Sequence, residues 1–388
     1  MLNIEQNKLQ HVKNRRDIYS FFLFYVIILI QTILFTSFGR VFPSAAMMLG
    51  KLEMLMILLY VTYSLFIRVT IRKIVYVVVV MTIIVISAHY SGNSSSFIKL
   101  LLLTVAVPVT IPSAKKIVTV FGLAMSTTMV LTIILSLIGY LPRSGTATKV
   151  LFSNYQETVF FLGFNHPNAF GTFLTTIFMI LSFLFYQKHK LKIIISGPVF
   201  LIINLLIGAD TAAAGIFLLL IIYIVPLKLT KIYKLTYALP TILTCLSLWL
   251  AYNNTSNLGM IVNEKISSRP DVWHTYVIQY PINLFNHLPT VNTNGYFSIL
   301  GNGVLDGSYI YILIYWGIVS WLVYNFIFIT IAKFGIDNKN VALYGIALLT
   351  MFTAFPESHM IMFYENVFLI FVGFYQYSRD ERKICLNR

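Results

Sequence analysis

The sequence predicts an all-α integral membrane protein, and three observations carry that prediction. Hydrophobic residues make up 58% of the 388 and charged residues 11%, where soluble domains carry roughly 25% charged. Mean hydropathy is +0.81. The apolar residues also gather in continuous runs, whereas the strands of a membrane barrel would alternate over about ten residues. A soluble globule is therefore excluded, the 15% aromatic content excludes a disordered chain, and two cysteines, Cys245 and Cys385, cannot make a disulfide scaffold.

A helix needs about 20 residues to cross the hydrocarbon core, fewer where flanking side chains snorkel. That yardstick places about twelve spans, at 19–38, 52–67, 74–90, 97–112, 117–140, 160–186, 193–208, 211–226, 235–252, 308–332, 341–356 and 360–377. The basic start (Lys8, Lys13, Arg15, Arg16) leads into a run too long for a signal peptide, with no small-residue cleavage site behind it, so the first helix is expected to stay. The organisation expected is one polytopic domain over 1–388, with a large outer loop between the ninth and tenth helices.

The net charge of +15 is read through its distribution. Of 28 lysines and arginines, 21 fall in alternate segments that begin with the N-terminus and end with the C-terminus. The other 7, Arg40, Lys51, Lys99, Arg143, Lys149, Lys265 and Arg269, fall on the opposite side. The bias places both termini and the 187–192 loop in the cytoplasm of a multi-pass plasma-membrane protein, and the basic balance needs no nucleic acid. The inner loops are short and hold no GxxxxGK[ST] phosphate loop, which argues against ATP-driven chemistry.

Function is expected on the outer face, in the segments 141–159 and 253–307. Helix connections in bundles usually run 2–8 residues, so a loop of about fifty is more often functional than spacer. Glu157, Asp210, Glu264, Asp271, Asp306 and Glu357 all fall on that side. In GFNHPNAFG, 163–171, Asn165 can cap a helix, Pro167 suits its first turn, and Gly171 admits a close backbone. His166 there reads equally well as an interfacial histidine bonded to a neighbouring carbonyl. In ISSRPDVWHTY, 266–276, Ser268 is a plausible N-cap of a short helix bearing Trp273 and Val277 on one stripe and broken at Pro281. Arg269 at that N-terminus suits a phosphate, and a surface pair with Asp271 or Glu264 explains it as well. In GNGVLDGSYIYIL, 301–313, Gly301 and Gly303 allow re-entry to the membrane and Asp306 can cap the following helix. Asp210, in the turn GADTAAAG, needs a partner at its depth, an outer arginine being the obvious one.

Taken together, these pieces resemble the family of bacterial O-antigen ligases and Wzy-type oligosaccharide repeat-unit polymerases, over roughly 150–375. The pieces are His166-Pro167-Asn168 with Phe170-Gly171, the Asp210-Thr211 turn, Arg269-x-x-x-Trp273, Gly301-x-Gly303, the Asp306–Tyr309 stretch, Gly317, and Glu357 with Asn366. The resemblance implies a membrane glycosyltransferase-like bundle that uses no nucleotide sugar. Both its substrates would be oligosaccharides on polyprenyl diphosphate at the outer face of the membrane, polymerised into capsular polysaccharide, exopolysaccharide or O-antigen. It implies as partners the lipid-linked oligosaccharides, membrane lipids, and flippase and chain-length regulator proteins. In the ligase branch the stretch matching Asp306–Tyr309 carries a histidine, and here it reads Asp-Gly-Ser-Tyr, which points to polymerase over ligase.

The residues suit such chemistry. Arg269 and Arg143 would take up the charge of a departing diphosphate, and His166, Asp306 and Glu357 are the outer bases for a nucleophilic hydroxyl, in that order because histidine titrates nearest neutrality. Asn168, Asp210, Trp273 and Tyr309 complete the expected substrate contacts. No Asp-x-Asp pair or His/Cys cluster is visible, so neither a metal nor a cofactor is expected. A lipid-linked oligosaccharide flippase is the rival reading, against which the two halves of the chain show no matching pattern.

Overall fold

The computed structural model describes residues 2–67, 69–90, 95–148, 156–225, 232–286 and 305–377. In its first part the helices are α1 (Leu2–Phe35), α2 (Phe38–Val41), α3 (Pro43–Leu65), α4 (Ile71–Tyr90), α5 (Ser95–Thr110) and α6 (Ala114–Leu137). The second part holds α7 (Pro167–Leu206), α8 (Asp210–Ile224), α9 (Leu239–Tyr252), α10 (Asn257–Lys265), α11 (Arg269–Gln279), α12 (Ser308–Tyr311), α13 (Ile318–Asp337), α14 (Val341–Thr353) and α15 (Val372–Tyr377). Six of these, α1, α3, α4, α6, α7 and α13, are long and apolar enough to cross a membrane, and four shorter apolar helices of 10–17 residues, α5, α8, α9 and α14, accompany them. The protein is thus built as the composition predicts, from apolar helices, while the count of twelve is not reproduced element for element.

Three differences from the expected layout have local causes. The Pro167–Leu206 stretch leaves helical geometry at His189 (φ −135°, ψ 48°). It folds back there, because Phe178 and Phe200 rings lie 5.3 Å apart and a Cβ on Gly171 would stand 2.7 Å from Asn204 Oδ1. On one straight helix those last two residues would be about 50 Å apart. The two spans expected at 160–186 and 193–208 are therefore arms of one hairpin. The span expected at 308–332 is interrupted: a π-turn over Ile312–Trp316 ends at Gly317 (φ 86°), where a Cβ would stand 2.6 Å from the Leu284 carbonyl oxygen. There the N–H groups of Ile318 and Val319 bond the carbonyls of Asn283 and Leu284. The span expected at 360–377 is not one helix either. It consists of 3-10 turns over His359–Ile361 and Val367–Phe371 with a hydrogen-bonded turn between them, and only then α15.

The segments expected on the outer side also contain more structure than expected. A two-stranded antiparallel hairpin, β1 (Ser144–Thr148) with β2 (Gln156–Phe160), departs from a purely helical chain. Among its described residues the long loop holds two helices where one was expected, α10 and α11, joined through Ser267 and Ser268 at positive φ. Ser256 caps α10 by accepting from the Gly259 N–H at 3.1 Å.

Around the break at Gly317 the rings of Phe97, Trp316 and Tyr324 stack at 5.6 and 5.8 Å, so a packed aromatic column replaces the missing helical continuity. In the first half, Lys99 from α5 meets Glu53 of α3 at 2.6 Å and Gln31 of α1 at 2.9 Å. That buried pair joins three helices.

Candidate functional site

The site assembles where three helices begin. Pro167 at the first position of α7 lacks the N–H that a first turn leaves unpaired anyway, and its fixed φ suits the start. The cap is His166 and not Asn165: His166 Nδ1 accepts from the Asn168 N–H at 3.2 Å, while Asn165 Nδ2 donates to the carbonyls of Phe35 and Thr36. The α8 helix starts at Asp210, tight against α7 because Gly171 lies directly on Ala209 and Asn204. The α11 helix starts at Arg269 with Pro270 behind it; Ser268 precedes it at φ 58° and makes no side-chain cap, contrary to the expectation for that serine.

From those three helix starts, three donors reach one atom. Asn168 Nδ2 (3.0 Å), Thr211 Oγ1 (3.1 Å) and Arg269 Nη2 (2.5 Å) all donate to Glu357 Oε1. Helix N-termini carry partial positive charge from their unpaired N–H groups, so their convergence suits an anion. Glu357 Oε2, by contrast, is buried and has no hydrogen-bond partner among the described residues; Arg269 Nε and Glu365 Oε2 share that condition. Glu357 borders a small cleft that it shares with Asn168, Thr172, Thr211, Ala212, Thr353, His359 and Met360. Burial pushes the Glu357 pKa up and the Arg269 charge pulls against it.

Asp306 joins the cluster through Arg269 Nη2 at 3.5 Å and the Ser358 hydroxyl at 3.2 Å. The capping expectation for Asp306 is corrected: the α12 N-cap is Gly307, at φ 90° and packed against the Trp273 ring, and no side chain caps this helix. Trp273 is fully buried and donates its indole N–H to the Asp306 carbonyl at 2.6 Å, so it places Asp306 and is not itself open to a substrate. Tyr309 is likewise buried, with its hydroxyl bonded to the Met351 carbonyl at 2.8 Å. Ser308 ties the two sides together, its N–H and hydroxyl both bonding the Glu357 carbonyl, at 3.1 and 2.6 Å.

Arg143 is placed elsewhere. Its Nε donates to the Ser136 carbonyl at 3.0 Å and its Nη2 to that of Leu137, so it closes the C-terminal end of α6. Neither surface pair considered for Arg269 forms: Asp271 accepts from Asn254 and Asn263 at 2.9 and 2.6 Å, and Glu264 sits 3.7 Å from Lys265. Asp210 occupies the first turn of α8, half-buried, beside the Thr211 that reaches Glu357. Glu157, Gly301 and Gly303 lie outside the residues whose side chains are described.

Two residues of the cluster, His359 and Glu365, were not foreseen. His359 stands with Nδ1 3.1 Å from Glu365 Oε1 and Nε2 3.9 Å from Glu357 Oε2, its ring edge-on to Phe35. Although burial pulls its pKa down, the charge and hydrogen bond of Glu365, with Glu357 and Asp306, raise it to about 9. His166 moves the other way: desolvation and the nearby charges of His359 and Arg269 outweigh Asp306 and lower its pKa, so it is neutral at pH 7. The signal for this pair was present, since Glu365 is an ionisable residue inside an apolar run.

Among the described residues no group of three or more His, Cys, Asp or Glu side chains is arranged to hold a metal ion. No family model, no characterised protein and no solved structure matches the chain.

Proposed function

We propose that this protein is a plasma-membrane glycosyltransferase that polymerises polyprenyl-diphosphate-linked oligosaccharide repeat units at the outer face. The observation that carries the reading is the grip on Glu357. The pieces of sequence that resemble the ligase and polymerase family are dispersed along the chain, with Asn168 and Glu357 189 positions apart, and yet His166, Asn168, Thr211, Arg269, Asp306 and Glu357 converge.

The chemistry follows from which atoms are engaged and which are open. A hydroxyl of the incoming unit attacks the anomeric carbon of the growing chain. The new glycosidic C–O bond forms as the bond to the diphosphate breaks, and the hydroxyl proton leaves for a base. Glu357 Oε2 suits that role: its partner oxygen is saturated by three donors, which fixes the carboxylate, and burial makes it more basic than an exposed carboxylate. His166, ranked first on sequence grounds, has Nδ1 engaged by the Asn168 N–H, so the neutral ring carries its proton on Nε2 and faces the substrate as a donor. Arg269, with Nε unpartnered, takes the charge of the departing diphosphate, for which the planar guanidinium is suited. Apolar helices would accommodate the polyprenyl tails. The cation bias supports a topology with both termini in the cytoplasm and α10, α11 and Glu357 outside. A flippase that delivers the units and a chain-length regulator are the partners such an enzyme would work beside.

Reconstitution in liposomes with a synthetic polyprenyl-diphosphate repeat unit tests the proposal. The expected result is a ladder of longer glycans with stoichiometric release of polyprenyl diphosphate, both lost in Arg269→Ala. Folded protein that yields neither product removes the reading.

A further inference from the structure

Glu357 faces a difficulty that its own contacts do not resolve. Its near cation is Arg269, and in the reaction that guanidinium is drawn toward the leaving diphosphate. A carboxylate as buried as Glu357, at 4% exposure, would then take up a proton and cease to accept one. The structure supplies a second cation on the opposite side. We infer that the pair His359–Glu365 holds Glu357 in its charged, proton-accepting form while Arg269 engages phosphate, with Glu365 fixing the imidazolium and His359 acting on Glu357 by charge alone. This rests on the reading of Glu357 as the base.

The distances separate charge from hydrogen bonding. At 3.1 Å, His359 Nδ1 donates to Glu365 Oε1. At 3.9 Å from Glu357 Oε2, Nε2 is too far to occupy that oxygen and near enough for its charge to be felt in a buried site. A hydrogen bond there would block the lone pair that must accept the sugar proton; a charge at this distance leaves it open. The groups facing His359 are Glu365 from its own loop, Glu357 before it, Asp306 ahead of α12, and His166 ahead of α7, while α1 offers only the uncharged ring of Phe35. Three acids and one neutral imidazole favour a cation at this position.

The loop is built to hold the pair still. Glu365 is fully buried. Its N–H bonds the Met362 carbonyl at 3.0 Å and its own carbonyl accepts from Thr176 Oγ1 at 2.5 Å. Asn366 is anchored by Nδ2 to Thr350 Oγ1 and the Met360 carbonyl, both at 3.1 Å, and its Oδ1 caps the next turn through the Phe368 N–H at 3.2 Å. In an α-helix residues 359 and 365 would project about 120° apart around the axis. The turn over 362–366, closed by the Glu365 and Asn366 N–H groups on the Met362 carbonyl, brings them together instead.

The test is the pH dependence of kcat/KM in reconstituted protein, joined to infrared spectroscopy of the carboxyl groups. In His359→Gln the acid limb, set by Glu357, should move upward by about one pH unit or more. His359→Lys, which restores a cation, should bring it most of the way back, and Glu365→Gln should fall between. In the infrared, with inorganic diphosphate added to engage Arg269, His359→Gln should gain protonated-carboxyl intensity at neutral pH, and the part due to Glu357 should disappear when Glu357→Gln is added. The infrared reading does not depend on glycan turnover, so it decides the inference even if the wild type makes no polymer. An acid limb and a carboxyl spectrum unchanged in His359→Gln, or in Glu365→Gln should the first variant fail to fold, overturn it.

Discussion

Among the described residues two buried ion pairs have nearly the same length, and they differ in what surrounds them. Lys99 and Glu53 meet at 2.6 Å among α1, α3 and α5, with Gln31 as their further partner. Arg269 and Glu357 meet at 2.5 Å with Asp306, His359 and Glu365 around them. Each pair leaves one buried carboxylate oxygen unpartnered, Glu53 Oε1 and Glu357 Oε2. Burial of charge therefore does not distinguish a site from a staple. The first pair lies along helix interiors and closes on one neighbour; the second lies at helix ends, gathers more titratable groups than packing requires, and borders a small cleft.

Substitutions at the two pairs should separate sharply. Glu357→Gln keeps the size and the donors' target but removes the proton acceptor, and glycan turnover should fall by about 10³-fold with the protein intact in detergent. Arg269→Lys keeps a charge and loses the planar fork; a loss of about 10²-fold in the liposome assay is expected, and full activity would reduce Arg269 to a structural partner. Glu53→Gln, by contrast, should act on stability by roughly 3–5 kcal/mol, because it strands Lys99. Its melting temperature should drop while turnover per folded molecule stays near wild type, and a loss of turnover at unchanged stability would erase the distinction.

Smaller effects sharpen the same boundary. His166→Asn retains a capping oxygen and His166→Ala does not, so only the alanine variant should lose about 1 kcal/mol of stability. If both lose all turnover, the ring itself takes part in proton transfer. The raised pKa of His359 gives a pH signature with a definite sign. Its favourable charge contributes in full below about pH 6.5, the ordinary histidine value, and is lost as pH rises through about 9. Thermal stability should therefore decline across that window in the wild type, and Glu365→Gln should flatten the decline.

What could be read from the sequence divides along the same line. Apolar runs, Pro167 at a helix start, the Trp273 stripe and the closeness forced by Gly171 were legible because each follows from residues a turn or two apart. The role of Asp306 was not, since its freedom from capping depends on Trp273, 33 residues away, drawing the chain over. Arg143 looked like a substrate cation by its side of the membrane, and its actual partners are carbonyls six and seven residues back. Glu365 vanished into the stretch 360–377 that reads as a helix, with His359 just ahead of it, and only the turn that replaces the start of that helix makes them neighbours.

The triple grip on Glu357 also sets an order of assembly. Its donors come from residues 168, 211 and 269, all made before residue 357 leaves the ribosome. During synthesis the starts of α7, α8 and α11 must wait, three polar ends without their anion, until the last fifth of the chain is inserted. On the proposed reading, the residue that completes the chemistry is also the one that closes the site, so a partly inserted protein would be inactive.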